Sequence, residues 1–235
     1  MMQRYRNEFK HIINYGDYAL LRLRLKNLLS ADSHVEFDGS YSVRSLYFDD
    51  YYNRAYHDNY LGAYQRSKYR IRIYNQSEQR IMLEKKNKVG LHNYKQTAPL
   101  TVEEVYCILR GEFEFLLRSP INLLKVFYYE CVSNLMRPRV VIDYEREPFV
   151  MEAGDVRITF DRNVRAGVDG FDIFDPDMPT IEVLPPGQLI MEVKFTELLP
   201  SIVREALPAK ASEYTAVSKY ILGCDRTMHR RFSHI

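Results

Sequence analysis

The sequence predicts an α+β fold of mostly antiparallel strands with helices at the periphery, and three observations carry that expectation. Segments with period-2 alternation recur along the chain. Amphipathic stretches with capping signals fall between them. The 235 residues are 46% apolar with 13% aromatics, enough to fill a sizeable core. No low-complexity segment, internal repeat or long linker interrupts them, so a single domain over residues 1–235 is expected.

The alternating segments lie at 4–14, 42–49, 67–75, 79–87, 138–146, 155–164 and 188–195 and are rich in Val, Ile, Tyr and Phe. In the first, RYRNEFKHII, the residues Arg4, Arg6, Glu8 and Lys10 share one face. Residues 17–30, DYALLRLRLKNLLS, read as a helix with Asp17 as its cap. In SKYRIRIYN, Lys68, Arg70 and Arg72 alternate with Tyr69, Ile71 and Ile73. RIMLEKKNK sets Glu84, Lys86 and Lys88 opposite Leu83. TVEE at 101–104 is a capping box opening the next helix, and Ser119 with Pro120 starts a third that runs to Met136. VRITFDRNV places Arg157, Thr159 and Asp161 opposite Val156, Ile158 and Phe160, and LIMEVKF repeats the pattern with Glu192 and Lys194. Ser212 is expected to cap SEYTAVSKYILG, with Tyr214, Val217 and Ile221 as its apolar stripe and Gly223 as its terminator.

Composition narrows the function classes. Thirty-three Lys and Arg against 31 Asp and Glu leave a net charge of +2, so an anion site must come from local arrangement. Cys107, Cys131 and Cys224 are widely spaced and form no CxxC, which fits a reducing compartment. The charged amino terminus and the lack of a long apolar run point to a soluble, cytoplasmic protein with no membrane segment of its own. GxxxxGK[ST], HExxH and GxSxG are all missing, and the six histidines show no ligand spacing.

The same mixed face on several strands has two explanations. An open sheet would leave the charged faces in water, with Glu8, Glu84 and Glu192 in ordinary cross-strand pairs. A closed barrel would turn them inward. There, two like charges ~7 Å apart cost about 2.4 kcal/mol at an effective dielectric near 20, so converging cations demand a counter-ion. Nucleic acid fits poorly, because the glutamates would repel a phosphate backbone and Tyr69 lies opposite Arg70.

RNEFK at 6–10, YRIRIY at 69–74, LEKK at 83–86, VRITFD at 156–161, MEVKF at 191–195 and SKY at 218–220 together resemble the VTC family of polyphosphate polymerase domains, within the triphosphate tunnel metalloenzymes related to CYTH domains. The series covers nearly the whole chain. The resemblance implies an eight-stranded antiparallel β-barrel tunnel whose basic interior takes ATP and inorganic polyphosphate, with Mn²⁺ or Mg²⁺ as cofactor. It implies that Arg70, Arg72, Arg146 and Arg157 clamp the transferring phosphate. Arg6, Lys10, Lys86, Lys95, Arg139, Lys194 and Lys219 would bind phosphate, and Glu192 and Glu8 would hold the metal.

Two departures bear on the reaction. Related tunnel triphosphatases begin ExExK, whereas Arg6 stands at the place of the first Glu, which removes a carboxylate suited to activating water and favours transfer over hydrolysis. Ala216 stands where some relatives carry another lysine. The expected activity is transfer of the γ-phosphate of ATP to a growing polyphosphate chain. Triphosphate hydrolysis and polyphosphate binding without catalysis are the alternatives. Any coupling to a membrane would need a separate partner.

Overall fold

The computed structural model describes residues 7–32, 35, 39–90, 92–196, 198–207 and 217–231. The chain divides into two compact units, each assembled from three stretches: Met1–Ser42, Tyr144–Val164 and Leu184–Val217 in the first, Val43–Asp143, Arg165–Val183 and Ser218–Ile235 in the second.

The first unit contains β1 (Asn7–Asn14), α1 (Tyr15–Leu28), the short β2 (Ser30–Ala31), the later half of a long strand β7 (Arg137–Met151) and most of β8 (Val156–Gly167). It also contains β10 (Gln188–Phe195) and α6 (Ser201–Ala206). Its strand order is β1-β10-β8-β7, with β2 on β7. The β1–β10 and β10–β8 ladders are antiparallel. Apolar positions of the strands, among them Ile158, Phe160, Leu189, Met191 and Val193, pack with Tyr18, Leu21 and Leu25 of α1. The cap of α1 is Asn14, whose Oδ1 accepts from the Asp17 amide at 2.8 Å. Asp17, the expected cap, sits inside the first turn and accepts a bond from the Asn14 amide group at 2.9 Å.

The second unit contains β3 (Tyr41–Asp49, all but its first two residues), α2 (Arg54–Tyr60), β4 (Gln65–Tyr74), β5 (Ser77–Val89) and β6 (His92–Leu100). Helices α3 (Val102–Arg110), α4 (Glu114–Arg118) and α5 (Asn122–Ser133) follow, then the start of β7, the end of β8, β9 (Thr180–Glu182) and α7 (Lys219–Arg231). Its strand order is β7-β3-β4-β5-β6, with β9 against β8. The expected capping box is formed: Thr101 Oγ1 accepts from the Glu104 amide at 3.2 Å and Glu104 Oε2 accepts from the Thr101 amide at 2.9 Å. Such a cap is worth about 1 kcal/mol. Tyr69, Ile71, Ile73 and Leu83 are buried with Val105, Leu116 and Phe127.

Strand β6 carries no apolar alternation and was not expected, nor were α2, α4 and α6. Ser212 and Tyr214, expected to open the last helix, lie outside the described residues. Gly223 does not terminate that helix, which continues to Arg231. Its role is close packing: a Cβ at Gly223 would lie 2.2 Å from Ile142 Cδ1 and 3.4 Å from Val140 Cγ2 on β7. No helix among the described residues is long and apolar enough to cross a membrane.

Candidate phosphate and metal site

In the first unit the charged faces meet through register. Lys10 lies opposite Glu192 and Glu8 opposite Lys194 across β1–β10, while Glu192 lies opposite Thr159 and Lys194 opposite Arg157 across β10–β8. Because directly opposed residues share a face, these side chains form one patch, with the apolar partners of each strand in the core behind it.

The carboxylates of this patch are all engaged by cations. Lys10 Nζ is 2.7 Å from Glu8 Oε1, and Lys194 Nζ is 2.6 Å from Glu192 Oε1. Arg146, on β7, donates from Nε to Asp161 Oδ1 at 2.7 Å and from its second terminal nitrogen to Asp161 Oδ2 at 2.9 Å. That same nitrogen is 3.9 Å from Glu192 Oε2. Burial would lower the affinity of the Arg146 guanidinium for its proton, but the Asp161 charge outweighs it and holds the group well above its ordinary value. Arg157 pairs with Asp32 and donates to the Tyr41 hydroxyl at 3.1 Å.

In the second unit Glu84 is the centre, 2% exposed on β5. Arg70, directly opposite on β4, donates from Nε to Glu84 Oε2 at 2.7 Å and from another nitrogen to the Tyr47 hydroxyl at 3.0 Å. Lys95, from β6, donates to Glu84 Oε1 at 2.8 Å, and Arg72 approaches Glu84 Oε2 to 4.0 Å while donating to Ser45 Oγ at 2.9 Å. Burial would raise the Glu84 carboxyl, but Arg70, Arg72 and Lys95 hold it far below the usual carboxylate range. The ladders set Lys86 opposite both Lys68 on β4 and Lys95 on β6.

Helix α7 adds to this face of the second unit. Tyr220 stacks on Tyr47 with ring centroids 5.2 Å apart and donates its hydroxyl to Asp49 Oδ2 at 2.5 Å, and Lys68 donates to Ser218 Oγ at 2.9 Å. Burial alone would raise the Tyr47 hydroxyl, but the charges of Arg70 and Arg72, and more weakly Lys219, bring it below its ordinary value. Arg139, at the start of β7, is close enough to Cys224 of α7 for its charge to oppose the upward push of burial on that thiol.

The expected residues therefore fall into two groups. Glu8, Lys10, Arg146, Arg157, Glu192 and Lys194 belong to the first unit; Arg70, Arg72, Lys86, Lys95, Arg139 and Lys219 belong to the second. Arg6 and Ala216 lie outside the described residues. Glu84, Asp161, Tyr47 and Thr159 were not among the expected site residues. Glu84, Asp161 and Thr159 were visible in the sequence as members of charged faces, whereas Tyr47 gave no signal beyond strand position.

Among the described residues no group of three His, Cys, Asp or Glu side chains could hold a metal ion. A magnesium-type site needs only one or two carboxylates, with waters and substrate phosphates completing the shell. Glu192 supplies such a carboxylate, and Thr159 Oγ1, in the residue opposite it, is buried with no hydrogen-bond partner among the described residues. This all-oxygen set fits a hard divalent ion.

The antiparallel sheet with its flanking helices fits the triphosphate tunnel fold, as a solved neighbour shows. HpAC1 of Hippeastrum, an adenylyl cyclase candidate with a dominant triphosphatase activity, superimposes with a TM-score of 0.57 at 14% identity, over 96% of this chain and 97% of that one. The PH1819 protein of Pyrococcus horikoshii OT3 matches with a TM-score of 0.48 at 13% identity, over 94% of this chain and 99% of that one. No curated protein sequence matches. The VTC domain model matches residues 5–228, and the chain belongs to that family.

Proposed function

We propose that the chain is a polyphosphate polymerase that transfers the γ-phosphate of ATP to the end of an inorganic polyphosphate chain. The observation that carries this reading is the state of the carboxylates. Glu8, Glu192, Asp161 and Glu84 each hold at least one cation in the ligand-free chain, so none of them stands there as an unpaired base for water. Hydrolysis without a metal-held water would need an unpaired carboxylate base, whereas the terminal phosphate of polyphosphate is already an anionic nucleophile and needs none. Arg6, in place of a carboxylate, supports the same choice.

In this mechanism the chain's residues position and neutralise. Arg146 and Arg157 of the first unit, and Arg70 and Arg72 of the second, present guanidinium groups suited to bidentate phosphate contacts. Lys10, Lys86, Lys95, Lys194 and Lys219 add point charges, with Arg6 and Arg139 as further phosphate contacts. Glu192 would hold Mn²⁺ or Mg²⁺, with Glu8 as a second carboxylate on the same face. The bound ion would neutralise phosphate oxygens as charge shifts to the leaving ADP. The family match runs through both units, which supports treating 1–235 as one domain. A cytoplasmic site of action with access to ATP is part of the proposal.

A second reading, triphosphate hydrolysis, draws support from HpAC1, whose fold this chain shares and whose dominant activity is triphosphatase. Incubation with ATP and Mn²⁺, followed by a gel that separates polyphosphate from orthophosphate, decides between them. Polyphosphate with ADP is the expected product. Orthophosphate alone would replace the proposal with the hydrolase, and binding without turnover would replace it with a polyphosphate-binding module.

A further inference from the structure

Glu84 is deeply buried, and its partners are Arg70 and Arg72 of β4 and Lys95 of β6. These cations are ones that the proposed function gives to phosphate. Glu84 is the carboxylate these three cations share, and removing its charge from so buried a place would leave their mutual repulsion less compensated. The guanidinium edge of Arg70 formed by Nε and one terminal nitrogen is already occupied by Glu84 Oε2, at 2.7 and 2.5 Å. That edge is the one a phosphate would use for a two-point contact.

We propose that Glu84 is an internal counter-ion that trades places with phosphate. It holds Arg70, Arg72 and Lys95 in position while no ligand is bound, yields the Arg70 edge to the incoming chain, and reclaims it when the chain moves on. This rests on the reading of the cluster as a phosphate site, but not on which reaction follows. It makes Glu84 a positioning residue, acting through the arginines and the lysine. The consequence for turnover is kinetic: a polymer that must advance by one phosphate per cycle cannot be held by cations with no competing anion, because binding too tight in the ground state raises the barrier to the next step.

The surrounding chemistry makes the exchange feasible. Arg70 keeps a second anchor in the Tyr47 hydroxyl at 3.0 Å and Arg72 keeps Ser45 Oγ at 2.9 Å, so both stay in place when Glu84 lets go. Lys95 is the most exposed of the partners, with half of its side chain in water, and can swing with the ligand.

The test is calorimetric titration of tripolyphosphate into the parent, Glu84→Gln and Glu84→Asp at matched salt. Gln removes the competing charge, so its affinity should rise on the order of tenfold while its melting temperature without ligand falls. Asp keeps the charge and should stay within about threefold of the parent. If ATP is turned over, KM and kcat should fall together in Glu84→Gln, whereas a purely structural lesion lowers kcat without tightening binding. Unchanged or weaker tripolyphosphate binding by folded Glu84→Gln would overturn the exchange. Should that variant fail to fold, the Arg70 Nε–H resonance of the parent, assigned through Arg70→Lys, gives the answer: it must shift on saturation with tripolyphosphate, and an unmoved resonance rejects the proposal. A parent that makes no polyphosphate but binds tripolyphosphate leaves this test intact. A parent that does not bind tripolyphosphate removes both readings.

Discussion

Replacing Asp161 with Asn separates burial from charge at the Arg146 pair. Asp161 is fully buried, and Arg146 is 11% exposed and held by two hydrogen bonds. Asn keeps the shape and removes the anion. Two charge centres about 4 Å apart at an effective dielectric of 20 attract by about 4 kcal/mol, and breaking a buried pair from one side costs roughly 3–5 kcal/mol. For a chain of this length each kcal/mol moves the melting temperature by about 2–4 °C, so a fall of roughly 6–20 °C is expected by differential scanning calorimetry. The freed guanidinium is already 3.9 Å from Glu192 Oε2 and should turn to it, which lowers metal affinity as well. The double variant Arg146→Met with Asp161→Leu leaves no orphan charge and should recover most of the stability while losing activity. A melting temperature for Asp161→Asn within about 2 °C of the parent would refute the description of this pair as buried and paired.

Other outcomes follow from the same packing and charge. Gly223→Ala puts a methyl against Ile142 and should cost about 1–3 kcal/mol in urea unfolding with little effect on tripolyphosphate affinity. Burial pushes the Cys131 thiol up to about 12 and the Cys224 thiol up to about 11, so iodoacetamide at pH 8 should label the half-buried Cys107 and spare both, as read by peptide mass spectrometry. Glu84 has a folded pKa below its unfolded value of roughly 4.3, so its stabilisation is full above that value and is lost as pH falls further. Melting temperatures between pH 3 and 6 should therefore drop more steeply for the parent than for Glu84→Gln, and equal slopes would contradict the ion pairing.

Much of the strand framework is legible in the sequence because alternation does two jobs at once. Tyr69, Ile71 and Ile73 enter the core for the same reason that Arg70 and Arg72 share the opposite face. Strand β6 escapes this logic: only Ala98 and Leu100 of HNYKQTAPL are buried, and Pro99 lowers its strand propensity further. Because Lys95 reaches Glu84 from that strand, the meeting of three cations on one carboxylate was hidden too. Lys95 itself came only from the family resemblance. The bidentate Arg146–Asp161 pair depends on the lateral adjacency of β7 and β8, which a period-2 pattern on either strand does not report. Gly223 misled for a related reason, since a glycine that ends a helix and one that lets a helix approach a strand look alike until the partner, here Ile142, is known.

Whether these charged faces grip phosphate or merely meet solvent is best decided by calorimetric titration of tripolyphosphate into the parent, Arg72→Ala and Glu192→Gln, with single-stranded DNA at matched salt as the control. The parent should bind tripolyphosphate tightly, and ligand at 100 times the dissociation constant should add about 2.7 kcal/mol of stability. Arg72→Ala should bind much more weakly, Glu192→Gln should retain binding but lose its dependence on Mn²⁺, and DNA should bind poorly. Equal affinities for Arg72→Ala and the parent, or for DNA and tripolyphosphate, would contradict the assignment of these strands to a phosphate site.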